Sequence, residues 1–512
     1  MIVRDAVFDW MRRRELTTLF GNPGSTELPM LDGFPFRYVL GLQEAVVTGM
    51  ADGYAAVTGR PALVNLHTGP GVGNAMGAIL GAAANRTPLI VTAGQQTREM
   101  LAIEPLLTNV EATTLPRPAV KWACEPARPQ DVPAALERAY LIANTPPRGP
   151  VFLSLPMDDF DAPCAGPVAL RRVGCSAVPS LGELARRLDA AANPVLVVGA
   201  EAGWAAAVEL AEHRGLPVWE APLEGRLGFP HDHPYFQGQL PPAIAPLAAQ
   251  LAGHDLVLVA GAPVFRYYPH VPGPYLPQGA TLVQLTADPD EAARAPVGEA
   301  IVCDPGPALA TLAKLCAGGT TRPRPRPAPA ALPEEGGMSA AAVMDALAQG
   351  APPDTIWFNE SPSNRPAFHD RIRPGLPGSF YFAAGGGLGY GLSAAVGAGL
   401  AAQSPEPGHR RPIVAVLGDG SAQYAITALW TAAAHQVPVT FVVLSNREYG
   451  VLKWFAGGRS VPGLDIPGLD VTTIARGYGV PARRVATPAD LADAVRDGCA
   501  SGAPVLVEAP IL

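Results

Sequence analysis

Short apolar runs recur along this chain and alternate with longer stretches of helical composition. A short apolar run suits one buried strand, and a helical stretch between two runs allows the strands to be parallel. Strands that are buried on both faces read as continuous apolar runs, as these do. The sequence therefore predicts an α/β fold built from doubly wound parallel sheets. The runs predicted to be strands are residues 62–66, 89–93, 151–155, 194–199, 256–260, 281–285, 301–303, 355–358, 413–417, 439–444 and 505–508.

Two breaks in composition divide the 512-residue chain. Residues 161–180 mix proline, cysteine and arginine without a clear period, and residues 317–337 carry alternating prolines that favour an extended linker. A chain of this length exceeds the size of one hydrophobic core. We therefore predict three α/β domains at residues 1–160, 181–316 and 338–512, joined by linkers at 161–180 and 317–337.

Composition and charge exclude several functional classes. The net charge of -8 argues against binding to nucleic acid, which needs a basic surface. Residues 1–20 carry charges throughout, so we predict an amphipathic helix there and neither an export signal nor a membrane span. The cysteines are scattered without a CxxC pair, which favours reduced thiols in the cytoplasm and argues against a zinc site or a disulfide framework. They are Cys124, Cys164, Cys175, Cys303, Cys316 and Cys499.

Polar side chains stand at the ends of two neighbouring predicted strands in residues 414–449. Asp419 lies between two glycines after one apolar run, and Ser445 and Asn446 follow the next run. Carboxylate and amide oxygens suit Mg²⁺, which keeps the rest of its octahedron for phosphates and water. Glycine lets the backbone approach a diphosphate, and the N-terminus of the helix after Ser421 favours that anion. The segment therefore predicts a magnesium–diphosphate site.

The order strand, Gly-Asp-Gly, helix, strand, Asn resembles the thiamine diphosphate enzymes, although Ser445 stands where that family has a first asparagine. Longer phrases, among them GNPGSTELP, LQEA, NLH, GAPVFRY and WFAGG, resemble the benzoylformate decarboxylase branch along nearly the whole chain. The resemblance implies three domains for the pyrimidine, the centre and the diphosphate. It also implies thiamine diphosphate and Mg²⁺ as cofactors, with Ca²⁺ as an alternative ion and no flavin. The expected reaction is non-oxidative decarboxylation of an aromatic 2-oxo acid to its aldehyde and CO₂.

The same resemblance assigns roles to individual residues. Glu44 would bond N1′ of the aminopyrimidine, Ser25 would bind the substrate carboxylate, and His67 would assist addition and proton transfer. The metal ligands would be Asp419, Asn446 and the main-chain oxygen of Glu448. The cofactor contacts implied are Pro23, Gly24, Glu44, Ser363, Gly386, Leu388, Asp419, Gly420, Ser421, Asn446 and Tyr449. The implied substrate pocket consists of Ser25, Leu106, Leu107, Phe382 and Phe455.

One departure from that branch leaves alternatives open. Tyr268 stands at the position of a second catalytic histidine, and His270 follows two residues later. A phenol is a weaker acid than an imidazolium, so slower protonation would favour carboligation with an aldehyde. A carboligase or lyase, a decarboxylase of another 2-oxo acid and a non-catalytic cofactor-binding subunit therefore remain alternatives. An acetolactate synthase and a nicotinamide dehydrogenase are more remote.

The expected assembly is a homodimer at least, and a homotetramer by resemblance, with active sites shared between subunits. The glycine-rich stretch at residues 383–391 does not match GxGxxG, which argues against a dinucleotide site. His231, Asp232 and His233 have metal-like spacing. We interpret that triplet as a solvated loop without a role.

Overall fold

The computed structural model describes residues 1–174, 178–320, 322–332, 337–403 and 410–511. Cys175 and parts of both predicted linkers lie outside the described residues. Three six-stranded sheets follow one another along the chain, and every strand pair in them is parallel. The prediction of three doubly wound α/β units is therefore confirmed.

The first sheet has the order β2-β1-β3-β4-β6-β5. Its strands are β1 Thr18–Gly21, β2 Arg37–Leu40, β3 Ala62–Leu66, β4 Leu89–Gln95, β5 Ala123–Cys124 and β6 Val151–Pro156. The helices around it are α1 Val3–Arg13, α2 Leu28–Leu31, α3 Glu44–Thr58, α4 Thr68–Ala84 and α5 Val132–Asn144, with short 3-10 turns at Ser25–Glu27, Arg98–Ile103, Pro129–Asp131 and Met157–Asp159.

The second sheet has the order β12-β11-β10-β7-β8-β9, which is the order of dinucleotide-binding folds. Its strands are β7 Pro194–Val198, β8 Val218–Glu220, β9 Phe236–Gln239, β10 Leu256–Ala260, β11 Thr281–Thr286 and β12 Glu299–Val302. Its helices are α6 Gly182–Ala190, α7 Trp204–Arg214, α8 Ile244–Gln250, α9 Pro289–Arg294 and α10 Pro305–Leu315. Topology alone does not assign a ligand to this unit.

The third sheet has the order β14-β13-β15-β16-β18-β17, which repeats the order of the first. Its strands are β13 Ile356–Glu360, β14 Phe380–Tyr381, β15 Ile413–Gly418, β16 Thr440–Ser445, β17 Ala482–Arg484 and β18 Val505–Pro510. Its helices are α11 Ala340–Gly350, α12 Arg365–Arg371, α13 Tyr390–Ala402, α14 Asp419–Gln423, α15 Ala428–Ala434, α16 Gly450–Ala456, α17 Val471–Gly477 and α18 Pro488–Ala500, with a 3-10 turn at Pro362–Asn364.

The apolar runs locate the long strands within about two residues, but the N-terminal helix is shorter than predicted. It ends at Arg13, and residues 18–21 form β1 instead of a continuation of the helix. The strands that the apolar runs missed have four residues or fewer, which leaves too little periodicity to recognise them. Among the described residues, none of the helices is both long enough and apolar enough for a membrane span.

The first and third units meet where α3 crosses α13, and small residues make that crossing close. A Cβ atom on Gly53 would lie 2.0 Å from the carbonyl oxygen of Ala394, and one on Gly397 would lie 1.8 Å from that of Met50. Neither position can take a side chain unless the helices separate. The crossing fixes Glu44, at the start of α3, relative to the turn that precedes α13.

Candidate active site

Glu44 is the first residue of α3, at the carboxyl edge of the first sheet. The Gln43 side chain caps this helix by accepting hydrogen bonds from the backbone N–H groups of Ala45 and Val46, at 2.7 and 3.1 Å. Glu44 accepts a hydrogen bond from Asn74 Nδ2 at 3.2 Å and is only half-buried. A carboxylate in the first turn is favoured by the helix dipole. Glu44 is therefore held in place and remains accessible to a ligand.

His67 follows β3 and is held by a carboxylate that the sequence analysis did not single out. Glu27 is 1% exposed, and its Oε2 lies 2.8 Å from His67 Nδ1. Glu27 also accepts hydrogen bonds from the backbone N–H groups of Gly24 and Gly94, at 2.7 and 2.8 Å. An ionised carboxylate only accepts, so Nδ1 carries the proton in this pair and Nε2 has the lone pair. Glu27 thereby fixes both the ring orientation and the tautomer of His67.

The residues before Glu27 complete this half of the site. Pro23 and Ser25 are exposed, and Gly24 approaches His67 so closely that a Cβ atom on it would lie 2.1 Å from Nδ1. Ser25 begins the 3-10 turn that ends at Glu27. Gly24 and His67 are therefore in direct contact, and Ser25 is exposed next to Gly24.

Asp419 lies at the tip of β15 and is 2% exposed. Its Oδ1 accepts a hydrogen bond from the backbone N–H of Gly420 at 2.8 Å. Its Oδ2 accepts bonds from the backbone N–H of Arg447 at 2.7 Å and from Ser445 Oγ at 3.3 Å. The serine that replaces the family's first asparagine therefore orients Asp419 and leaves Asn446 at the edge of the same loop.

The surroundings of Asp419 fit a bound cation. Within the described ranges, no Lys, Arg or His side chain forms an ion pair with this buried carboxylate. An ionised carboxylate that is buried without a cationic side chain favours a metal ion as its partner. Ser363 and Asn446 converge nearby, since a Cβ atom on Gly450 would lie 3.0 and 3.1 Å from their side chains. The oxygen atoms of these side chains therefore suit Mg²⁺.

The helix at this site begins earlier than predicted. Asp419 itself starts α14, which ends at Gln423, and the helical segment resumes only at α15. Gly420 packs on the Tyr449 ring, because a Cβ atom on it would lie 2.7 Å from Cε1, and Ser421 is buried beside it. The main chain of Glu448 belongs to the same loop, where its N–H donates to Asn446 Oδ1 at 3.2 Å.

The glycine-rich turn before α13 is held by a second buried carboxylate. Glu360, at the end of β13, is 2% exposed and accepts hydrogen bonds from the backbone N–H groups of Gly389 and Gly391, at 2.5 and 2.8 Å. Gly386 and Gly389 have φ angles of 72° and 103°, which favour glycine. Leu388 is partly exposed between them. Glu360 therefore sets the path of the turn that carries Gly386 and Leu388.

Glu360 should make stability depend on pH. Burial raises the pKa of Glu360 to about 7, and hydrogen bonds from backbone N–H groups only partly oppose this. The pKa of Glu360 in the folded chain lies above the ordinary 4.5, so its protonated form stabilises the fold. This contribution to the free energy of unfolding is complete below about pH 4.5 and is lost as pH rises through about 7, a change of about 3 kcal/mol. Glu360→Gln should flatten this dependence in urea unfolding midpoints measured from pH 4.5 to 7.5. The exposed Glu209→Gln is the control and should keep the pH dependence of the unmodified chain. If Glu360→Gln also kept it, the assignment of this pH dependence to Glu360 would be wrong.

The residues implied for the substrate pocket differ in their exposure. Leu106 is 85% exposed and Leu107 is partly exposed, whereas Phe382 is 9% exposed with the Arg365 guanidinium 4.5 Å from its ring centroid. Phe455 lies 5.2 Å from Tyr268, measured between ring centroids.

Tyr268 belongs to a cluster of three aromatic side chains. Its ring is 62% exposed and packs on Phe455, which in turn contacts Trp454 at 4.6 Å between centroids. His270 is exposed on the loop that follows. The structure therefore places Tyr268 against a residue of the expected pocket, and His270 is exposed on the surface of the single chain.

The two half-sites lie on different units of the chain. Among the hydrogen bonds and ion pairs of the described residues, none joins Glu44, Glu27 or His67 to the loop that holds Asp419 and Asn446. A cofactor that needs both halves would have to bridge surfaces of different units.

The chain was compared with known families and structures. Three thiamine pyrophosphate enzyme domains match it: the N-terminal TPP binding domain at residues 1–113, the central domain at 181–312 and the C-terminal TPP binding domain at 368–509. The benzoylformate decarboxylase of Pseudomonas aeruginosa is 50% identical over 99% of this chain and 98% of its own length.

Solved structures give the same result. The thiamine diphosphate-dependent 4-hydroxybenzoylformate decarboxylase of Rhodococcus jostii has a TM-score of 0.94 at 44% identity, covering 100% of this chain and 99% of its own. The benzoylformate decarboxylase of Polynucleobacter necessarius has a TM-score of 0.93 at 42% identity, with coverage of 100% and 98%. The chain belongs to the thiamine pyrophosphate enzyme family, and its full-length relatives within that family include benzoylformate decarboxylases. The predicted fold and family are confirmed.

Proposed function

We propose that this chain is a thiamine diphosphate- and Mg²⁺-dependent decarboxylase that converts an arylglyoxylate such as benzoylformate to the aldehyde and CO₂. The observation that carries the proposal is the pair of half-sites, one built on Glu44, Glu27 and His67 and the other on Asp419 and Asn446. Full-length identity of 50% to a benzoylformate decarboxylase supports the substrate class. The presence of both half-sites argues against a non-catalytic binding subunit.

Bound thiamine diphosphate supplies an electron sink for the bond to the departing carboxylate. Glu44 would hold a proton at N1′ of the aminopyrimidine, a role that suits a fixed but accessible carboxylate. Ser25 would orient the substrate carboxylate, and His67 Nε2 would take up and return a proton at the substrate oxygen. Asp419, Asn446 and the Glu448 carbonyl oxygen would hold Mg²⁺ at the diphosphate.

The remaining residues would bind and orient. Gly386 and Leu388 lie on the turn fixed by Glu360, where a backbone carbonyl and an apolar side chain can position the cofactor rings. Leu106, Leu107, Phe382 and Phe455 would line the aryl pocket, with Tyr268 packed beside Phe455. The remaining cofactor contacts proposed are Pro23 and Gly24 in the first unit and, at the diphosphate, Ser363, Gly420, Ser421 and Tyr449.

Carboligation is a second candidate function, favoured by the position of Tyr268. The structure places a phenol, and not an imidazole, against Phe455, and His270 is exposed. Slower proton delivery gives an acceptor aldehyde more time to react. Incubation of benzoylformate with excess acetaldehyde, followed by chromatography of the products, would measure the ratio of 2-hydroxy ketone to benzaldehyde. Benzaldehyde alone would exclude this second activity.

We propose a homodimer at least, with each active site shared between two subunits, and a homotetramer as the larger assembly. Leu42 is 43% exposed two residues before Glu44, Leu80 is 52% exposed on α4, and Tyr424 is 57% exposed five residues after Asp419. Exposed apolar side chains around a site support a protein partner. On α4, Gly73, Gly77 and Gly81 leave open space above the helix, which would allow a second backbone to come close. Sedimentation that shows a monomer with full activity would refute the shared site.

The free thiols of the described cysteines are compatible with a reducing compartment, and we propose the cytoplasm. The decisive experiment measures CO₂ and benzaldehyde released from benzoylformate, with and without added thiamine diphosphate and Mg²⁺. We expect release of both products only when both cofactors are present. Cofactor binding without turnover of any arylglyoxylate would refute the proposed substrate class.

Glu27 provides a test of the proposed role of His67. Glu27→Gln keeps the size of the side chain but cannot accept all of its present hydrogen bonds, so His67 loses its fixed orientation. We expect kcat to fall about 10–100-fold, as for other residues that orient a functional side chain, with cofactor affinity nearly unchanged. The pH profile of kcat should also shift, which a purely structural role would not cause. An unchanged kcat and pH profile would show that His67 does not need this carboxylate.

A further inference from the structure

A buried cluster of two histidines and one carboxylate lies between the second and third units. Glu220 ends β8, His231 lies in the loop between β8 and β9, and His369 lies on α12. Their exposed fractions are 1%, 3% and 7%. The interpretation of His231 as part of a solvated loop is therefore wrong, because α12 and β8 cover it.

The three side chains face one another. His231 Nε2 lies 2.8 Å from Glu220 Oε2, and its ring stacks on Phe236 at 4.1 Å between centroids. The ring centroids of His231 and His369 are 6.0 Å apart. One potential ligand atom from each of the three residues lies within 4.8 Å of the other two. Donor atoms around a tetrahedral zinc ion are about 3.4 Å apart. Small side-chain movements would therefore bring the three ligand atoms to that spacing.

Several polar atoms of the cluster have no partner within the part of the chain that the structure describes. They include both ring nitrogens of His369, Nδ1 of His231 and Oε1 of Glu220. A buried polar atom without a hydrogen bond costs about 1–3 kcal/mol. The nitrogens and the oxygen point to a ligand that can bind several of them together.

The surroundings of His369 favour its neutral form. Burial, followed by the charge of Arg365, lowers the pKa of His369 well below its usual value, and a neutral imidazole is the form that binds a metal. Glu220 and Glu224 act on Arg365, and Glu224 also pairs with Arg266.

We propose that Glu220, His231 and His369 form a binding site for one Zn²⁺-class ion, separate from the Mg²⁺–diphosphate site. Two imidazoles and one carboxylate suit Zn²⁺ or Co²⁺, whereas Mg²⁺ prefers oxygen ligands alone. The sequence analysis argued against a zinc site built on cysteines, and the proposed site contains no cysteine. Three protein ligands leave a fourth position for water.

A metal ion bound at this site would connect the second unit to the third. β8 belongs to the second unit and α12 to the third, and α12 begins two residues after Ser363, next to the proposed diphosphate site. An ion that binds both elements in the folded chain, and neither when unfolded, stabilises the fold by mass action. The effect of the metal would therefore be to stabilise the contact between the second and third units.

The experiment uses chelator-treated full-length chain that has been reloaded with thiamine diphosphate and excess Mg²⁺, so that the oxygen-rich site is filled. Co²⁺ is then titrated while visible absorption and the melting temperature are followed. We expect one Co²⁺ per chain with the strong absorption of a tetrahedral nitrogen and oxygen site, displacement by Zn²⁺, and a higher melting temperature with either ion. H369Q and H231Q should lose the absorption and the thermal shift.

His254→Gln is the matched control, because His254 lies in the second unit and its ring bonds only the Asn193 carbonyl, at 3.0 Å, among the contacts described. It should keep the Co²⁺ spectrum. Absence of tight Co²⁺ binding by the unmodified chain would overturn the proposal and mean that water fills the cluster. Retention of the spectrum in H369Q would overturn it equally. Titration of the unmodified chain tests the proposal even if a variant does not fold.

Discussion

Replacing Glu44 by glutamine is expected to lower kcat for benzoylformate by roughly 10²–10⁴-fold, the range for loss of a positioned proton-transfer group. Glutamine keeps the shape of the side chain and can still bond Asn74, but it cannot hold a proton at N1′. The helix cap at Gln43 is untouched, so α3 should remain intact. Steady-state kinetics at saturating cofactor, combined with calorimetric titration of thiamine diphosphate, separate chemistry from binding.

Cofactor affinity in Glu44→Gln should stay within about tenfold of the unmodified chain, since the diphosphate half supplies the charged contacts. Glu209→Gln, on the exposed face of α7, removes a carboxylate outside either half-site and should change neither quantity. Full activity in Glu44→Gln would refute the proposed mechanism. A large loss of affinity with normal kcat would reassign Glu44 to cofactor binding alone.

Most of the fold could be predicted because long buried strands carry their own signal. β3 and β10 coincide with the predicted runs 62–66 and 256–260, since a strand covered on both faces reads as continuously apolar. β5 and β14 have two residues each and form only by pairing with a longer neighbour. Short strands of this kind depend on tertiary structure, which local sequence does not encode.

The candidate site could be predicted where the spacing of residues along the chain determines which side chains meet. Asp419 and Asn446 stand at the ends of consecutive strands, so their meeting follows from parallel topology. Glu27 and Glu360 were missed because the N–H groups that they bind belong to Gly94 and Gly389, which lie far along the chain. In the phrase GSTELP, Glu27 follows Ser25 and Thr26, so its immediate neighbours do not mark it as buried.

The second large effect is expected at Asp419. Asp419→Asn should weaken thiamine diphosphate binding in the presence of Mg²⁺ by at least about a hundredfold, since it removes the one anionic ligand proposed for the metal. The amide oxygen can still accept a hydrogen bond from the Arg447 N–H, so the loop should keep its path. Calorimetric titration of thiamine diphosphate at several Mg²⁺ concentrations measures the loss directly.

The dependence on Mg²⁺ distinguishes a metal ligand from a residue that only shapes the loop. In the unmodified chain, affinity for thiamine diphosphate should rise with Mg²⁺ until the ion saturates, whereas in Asp419→Asn the rise should nearly vanish. Asp465→Asn is the control, because Asp465 is exposed and pairs with Lys453 at 2.6 Å beside the same loop. If Asp419→Asn kept the Mg²⁺ dependence of the unmodified chain, the ion would have to bind elsewhere. If affinity fell equally at all Mg²⁺ concentrations, Asp419 would act by holding the Ser445–Arg447 backbone and not by binding metal.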